Sequence, residues 1–132
     1  MKPFEQVVKF NKEILDIDSR PLGLQSEDEY RLSHHQMNEE IIEFLEACIN
    51  DDYIGAIDAC IDNLVFTMGV LYKLGIDDNL YEKIFTTVME ANFSKKKGVK
   101  KGREGYAAVD AMKPSDFISP EDRIRLILEG AR

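Results

Sequence analysis

The sequence predicts an all-α protein, an antiparallel helix bundle of about four to five helices. Apolar residues recur with a 3.6-residue period through most of the chain. Helix-start and helix-stop residues bracket those segments, and no alternating strand pattern stands out. At 132 residues the chain is expected to form one domain spanning 1–132, with 95–118 as loop, lid and tail.

Phe4, Val7, Val8, Asn11, Ile14 and Leu15 outline a short amphipathic helix, broken by Asp18-Ser19-Arg20-Pro21-Leu22-Gly23. Ser26 with Glu29 is a capping-box pattern that opens a second helix, running to about Ile49. In the Asn50-Asp51-Asp52 turn, one aspartate caps a third helix, apolar at Ile54, Ile57, Ile61, Leu64, Val65, Met68 and Leu71. Gly75 ends it, and Asp77 or Asp78 caps a fourth helix through Leu80, Ile84, Phe85 and Val88 to about Ser94. Lys95 to Gly105 reads as a flexible loop. Ser119-Pro120-Glu121 starts a terminal helix.

No run of about 18 purely apolar residues predicts a membrane span, and the N-terminus has no secretory pattern, so a cytoplasmic protein is expected. Cys48 and Cys60 lie in apolar patterns and are expected in the core. The net charge of −8 argues against a nucleic-acid partner. Its distribution says more. Leu32 to Tyr72 contains no Lys or Arg but carries Glu39, Glu40, Glu43, Glu46, Asp51, Asp52, Asp58 and Asp62. Like charges one helical turn apart repel, and a bound cation would offset that repulsion.

On a helical wheel, Met37, Ile41, Ile42, Phe44, Leu45, Cys48 and Ile49 share an arc expected to face the core. Glu39, Glu43 and Glu46 lie opposite, with Glu40 beside them. Alone, Glu-Glu-x-x-Glu is equally the pattern of a solvated face. Asp58 and Asp62, one turn apart, border the apolar stripe of the third helix, so Asp62 is expected to be partly buried and to need a partner. That partner is either a base from elsewhere or a cation. Two antiparallel helices set Glu39, Glu40 and Glu43 opposite Asp58 and Asp62, an all-oxygen set without His or Cys. Such donors suit Mg²⁺, with Mn²⁺ as a substitute. His34 falls on the apolar arc and reads as a packing residue.

Glu39-Glu40-Ile41-Ile42-Glu43 followed by Asp58-Ala59-Cys60-Ile61-Asp62-Asn63 resembles the all-α NTP pyrophosphohydrolase superfamily, which includes the MazG-like proteins, dimeric dUTPases and phosphoribosyl-ATP pyrophosphohydrolase. Val7-Val8-Lys9-Phe10-Asn11 with Pro21, Tyr30-Arg31-Leu32, Glu90-Ala91-Asn92-Phe93-Ser94-Lys95 and Lys113-Pro114-Ser115-Asp116-Phe117 extend the likeness over nearly the whole chain. The resemblance implies a MazG-like bundle that converts a nucleoside triphosphate, or a phosphoribosyl-ATP-like nucleotide, to the monophosphate and pyrophosphate. It implies Mg²⁺ on Glu40, Glu43 and Asp62, with Glu39 a further ligand or general base. Catalysis would then rest on Glu39 and Glu43. Asn92, Lys95 and Lys96 would bind phosphates, and the assembly would be a homodimer or homotetramer. Asn11 and His35 are candidates for base recognition. One departure stands out: three residues before Asp62 the family usually has Glu, and this chain has Ala59. Asp58 is the nearest acid and the less certain ligand. The missing Glu also leaves open a second reading, a weakly active or inactive dimerisation module that keeps the fold.

Overall fold

The computed structural model describes residues 1–105 and 110–131. These form two compact units, Met1–Asp78 and Asn79–Arg132. The fold is all-α, with five helices and one two-stranded sheet among the described residues.

The first unit contains α1 (Pro3–Glu13), α2 (Glu27–Ile49) and α3 (Tyr53–Lys73). Pro3 stands at the start of α1, where a missing N–H costs nothing. Ser26 caps α2: its Oγ accepts from the Glu29 N–H at 3.4 Å and donates to the Glu29 carboxylate at 3.0 Å. Arg20 grips the same carboxylate at 2.7 Å and ties the connecting segment to the first turn of α2. At the next turn Asp51 takes φ 52°, and Asp52 caps α3 by accepting from the Gly55 N–H at 2.9 Å. This tight turn folds α3 back against α2, which gives the antiparallel pair that the short loop predicts.

α1 packs on α3, burying Phe4, Val7 and Asn11. The Asn11 amide lies over Gly69, where a side chain would come within 3.5 Å of it. Tyr72 is buried and donates its hydroxyl to the Ile17 carbonyl at 2.9 Å, closing the segment after α1 onto α3. Gly75 ends α3 with φ +89°, its N–H bonded to the Tyr72 carbonyl, while the Ile76 N–H bonds to Leu71. Pro21 passes so close that a Cβ at position 75 would sit 2.6 Å from its carbonyl oxygen.

The buried line of α2 is turned by about a quarter of a turn from the expected one: Glu39, Glu43 and Glu46 face solvent as expected and Met37 is part-buried, but most of the apolar arc is not covered. Its buried residues are Ser33, Glu40 and Ala47, seven residues apart, and so on one line of the helix. Ile41, Ile42, Phe44, Leu45 and Ile49 of the apolar arc are exposed in the single chain, Leu45 at 59%. On α3 the buried residues are Ala59, Gly69 and Tyr72, while Ile54, Ile57, Ile61 and Leu64 are exposed. A helical wheel fixes which residues share a face but not which face meets its neighbour. Here small residues line the packed seam and the large aliphatic ones are left outside it. Cys48, Cys60 and His34 lie outside it too and are exposed, not in the core. α3 is also, by length and mean hydropathy (1.6), apolar enough to cross a membrane, which a search for uninterrupted apolar runs does not register.

In the second unit α4 (Asp78–Phe93) leads to β1 (Lys96–Gly98), which pairs antiparallel with β2 (Asp110–Met112), and α5 (Glu121–Ala131) follows. The sequence offers no strand here. The pairing depends on a contact distant in sequence: Met112 passes over Gly98, where a Cβ would come within 2.2 Å of its Cγ. Arg103 reaches Asp110 at 2.7 Å and Arg123 of α5 reaches Glu90 of α4 at 2.5 Å.

Gly75→Ala is expected to destabilise the protein by about 2 kcal/mol, because it combines a disfavoured positive φ with a clash against Pro21. Urea unfolding measures this, and a change within about 0.5 kcal/mol would show that the turn relaxes freely.

Candidate metal and phosphate site

The site begins with the way α2 faces α3. Turning Ser33, Glu40 and Ala47 into the seam takes the Glu40 carboxylate out of water, and it is 9% exposed. Its Oε2 is buried with no hydrogen-bond partner. Glu43 on the next turn of α2, and Asp62 and Asp58 of α3, are near enough to act on its charge. Burial first, then Glu43, then Asp62 and Asp58, push the Glu40 pKa up from 4.5 to about 7. Asp62 is half-buried, as its wheel position predicts, while Glu43 and Asp58 are exposed.

Glu39 stands apart from this group. It is exposed, and its carboxylate meets His35 Nε2 at 2.8 Å one turn back along the same helix. Ala59 is 2% exposed, so where the resembling proteins carry a carboxylate this chain has a packed methyl group. Among the described residues, no three His, Cys, Asp or Glu side chains are gathered into a group ready to hold a metal ion. The donor chemistry still fits one. A buried carboxylate oxygen without a partner, in a set made only of oxygens and facing like charges, is short of positive charge, and a hard divalent cation supplies it. Glu40, Glu43 and Asp62 are the residues that fit, with Asp58 at the margin.

The expected phosphate ligands all lie after the unit that holds the carboxylates. At the end of α4, Lys95 Nζ donates to Asn92 Oδ1 at 2.8 Å, so these two side chains form one polar group. Lys96 is exposed on β1. Of the two base-recognition candidates, His35 is exposed on α2, and Asn11 is 3% exposed with its amide donating to the Val7 carbonyl at 2.9 Å.

Two features escape sequence reasoning. One is the burial of Glu40, for which the signal in the sequence is its place one heptad from Ser33 on one side and from Ala47 on the other. The other is Phe117, whose ring lies beneath both Lys95 and Lys113, with Nζ to centroid distances of 5.4 and 5.2 Å. No local pattern announces that contact.

The sign of the Glu40 shift sets a pH dependence. The folded chain holds this proton more tightly than the unfolded chain, so ionisation lowers stability as pH rises from about 4.5 to about 7. In metal-free protein, Glu40→Gln is therefore expected to raise Tm by a few degrees at about pH 8 and to make little difference near pH 4.5. Thermal melts across that range check it, and an equal effect at both ends would mean that the carboxylate is solvated.

A family model described as phosphoribosyl-ATP pyrophosphohydrolase matches residues 7–92. The match runs from α1 to the last turn of α4 and includes every candidate metal ligand and Asn92. A comparison with curated proteins finds no match.

Proposed function

Because the chain belongs to the phosphoribosyl-ATP pyrophosphohydrolase family, and is thus a hydrolase of phosphoric anhydride bonds in a nucleotide, we propose that it is a Mg²⁺-dependent nucleoside triphosphate pyrophosphohydrolase. It converts an NTP or dNTP, or a phosphoribosyl-ATP-like nucleotide, to the monophosphate and pyrophosphate. The observation that carries this reading is the buried, partnerless Glu40 oxygen amid Glu43, Asp58 and Asp62.

Glu40, Glu43 and Asp62 would hold the cation, Mg²⁺ or Mn²⁺ in its place, and Asp58 is the supplementary ligand. Bound there, a cation would supply charge neutralisation and Lewis-acid polarisation of the phosphoryl group. The chain's own residues do the rest. Glu39 orients the attacking water and accepts its proton as oxygen bonds to the α-phosphorus. The anhydride bond to the β-phosphate breaks, and pyrophosphate leaves with the bonding electron pair. Lys95, positioned by Asn92 Oδ1, and Lys96 neutralise the charge that grows on it. His35, bonded to Glu39, and Asn11 are the candidates for base contacts.

The exposed aliphatic arcs of α2 and α3 support a homodimer or homotetramer. Ile41, Leu45, Ile49, Ile54, Ile57, Ile61 and Leu64 are each more than two-fifths exposed on adjacent helices of one unit. A patch of that extent is unusual on a monomer. Covering it with a second copy also accounts for the hydropathy of α3 without a membrane. A cytoplasmic setting with no nucleic-acid partner accords with the net charge of −8.

The second reading, a weakly active or inactive module with the family fold, draws on Ala59 and on the absence, among the described residues, of a ready-made ligand group. A panel of NTPs and dNTPs with Mg²⁺ separates the two. Pyrophosphate release is expected for at least one nucleotide, and Mg²⁺ is expected to raise Tm. If nothing is turned over and Mg²⁺ leaves Tm unchanged, the enzyme reading fails. Glu43→Gln is expected to lower kcat about 100-fold or more while the far-UV spectrum stays unchanged, since this side chain is exposed. Sedimentation should show a dimer or larger species, and Ile57→Glu should dissociate it. A wild-type monomer at micromolar concentration rules out the assembly.

A further inference from the structure

The family match ends at residue 92, so it does not reach the hairpin, the segment before α5 or α5 itself. Within the unit Asn79–Arg132, these elements bring together two lysines distant in sequence. Lys95, at the end of α4, and Lys113, just after β2, both stand over the Phe117 ring, at 5.4 and 5.2 Å from its centroid. Lys95 Nζ has one polar partner, Asn92 Oδ1. Among the described residues, neither ammonium has a carboxylate within ion-pair distance. Two like charges drawn to one ring repel each other. The negative face of the ring offsets part of that repulsion and fixes where the ammoniums stand.

Phe117 also forms part of the wall of a cleft of about 500 Å³ in the same unit. Ser94, Lys96 and Arg123 line it. Arg123 is committed to Glu90, and Asp116 is a carboxylate on the same wall, but Lys96 has no ion-pair partner among the described residues. The volume is ample for a diphosphate; Lys95 and Lys113 do not line this cleft themselves but share the Phe117 ring with it.

We propose that Lys113 acts with Lys95 as a two-ammonium clamp on a diphosphate group, aimed by the Phe117 ring between the elements that carry them. Its ligand is either the diphosphate end of the nucleotide or the free pyrophosphate leaving it. This inference rests on the pyrophosphohydrolase reading and adds Lys113 and Phe117 to it. Lys113 is a phosphate-binding residue and Phe117 a positioning residue.

Calorimetry of the full chain in EDTA with inorganic pyrophosphate tests the clamp apart from turnover. The wild type is expected to bind, with affinity falling as salt rises. Lys113→Ala should weaken binding roughly tenfold, the loss of one charge-assisted contact, while Lys113→Arg should stay within about threefold of wild type. Lys113 is exposed, so far-UV spectra should be unchanged. Phe117→Leu, which keeps both charges, should also weaken binding. In steady-state assays Lys113→Ala should raise KM for the nucleotide, or the inhibition constant of pyrophosphate, with kcat nearly unchanged. A change in both assigns the clamp to bound substrate, and a change in the inhibition constant alone assigns it to the leaving group. The clamp is overturned if wild type does not bind pyrophosphate, or if Lys113→Ala binds it as wild type does. Should nucleotides be turned over with KM and pyrophosphate affinity untouched by Lys113→Ala, the clamp falls and the hydrolase reading stands. If no nucleotide is turned over yet Lys113→Ala loses pyrophosphate, the clamp stands and the hydrolase reading falls.

Discussion

The burial of Glu40 is the constraint from which the rest of this molecule follows. An ionised carboxylate withdrawn from water needs a countercharge or a proton. Its neighbours supply neither. Glu43, Asp58 and Asp62 are all acids, and no Lys or Arg occurs between Leu32 and Tyr72. The metal-free chain meets this by holding the Glu40 proton to higher pH than an exposed glutamate would. Stability and site are therefore coupled through one side chain. Whatever neutralises Glu40 also stabilises the seam between α2 and α3.

The same constraint fixes the outer surface. Successive helical residues are about 100° apart, so a helix that turns Ser33, Glu40 and Ala47 inward must turn Ile42, Leu45 and Ile49 outward. The exposed apolar arc is thus the geometric complement of the acidic seam. A protein that buried the arc within one chain would leave its carboxylates solvated and without need of a cation. The uncovered apolar surface and the buried carboxylate are two sides of the same way of turning α2.

Charge is also divided along the chain. Residues 1–78 carry 17 acidic and 6 basic side chains, and residues 79–132 carry 8 and 11. The acidic part would repel a polyphosphate unless a cation intervened, whereas the other part attracts one directly. On the proposed function, a cation would answer the charge of the first part, and the lysines of the second would meet a diphosphate directly. Lys95 illustrates how the second part is prepared, with Asn92 Oδ1 holding its ammonium on one side and the Phe117 ring on another.

Local chemistry made much of this legible in the sequence, and long-range packing hid the rest. Ser26, Asp52 and Gly75 announce their helix ends because caps and positive φ act within a few residues. Asp62 betrays its half-burial by its place beside the apolar stripe. The hairpin is not legible, since Lys96, Lys97 and Gly98 have little strand propensity and their register depends on Met112 crossing Gly98. The facing of α2 differs from the sequence expectation for a related reason: hydrophobic periodicity shows which residues share a face, not whether that face is covered within the chain. Ala59 makes the point from the other helix. It is closed to solvent between two acids of α3, at Asp58 and Asp62. A glutamate there would have to bring another charge into a closed position or swing out of it. The methyl group keeps the position packed, so any cation held by Glu40, Glu43 and Asp62 would meet one fewer carboxylate there.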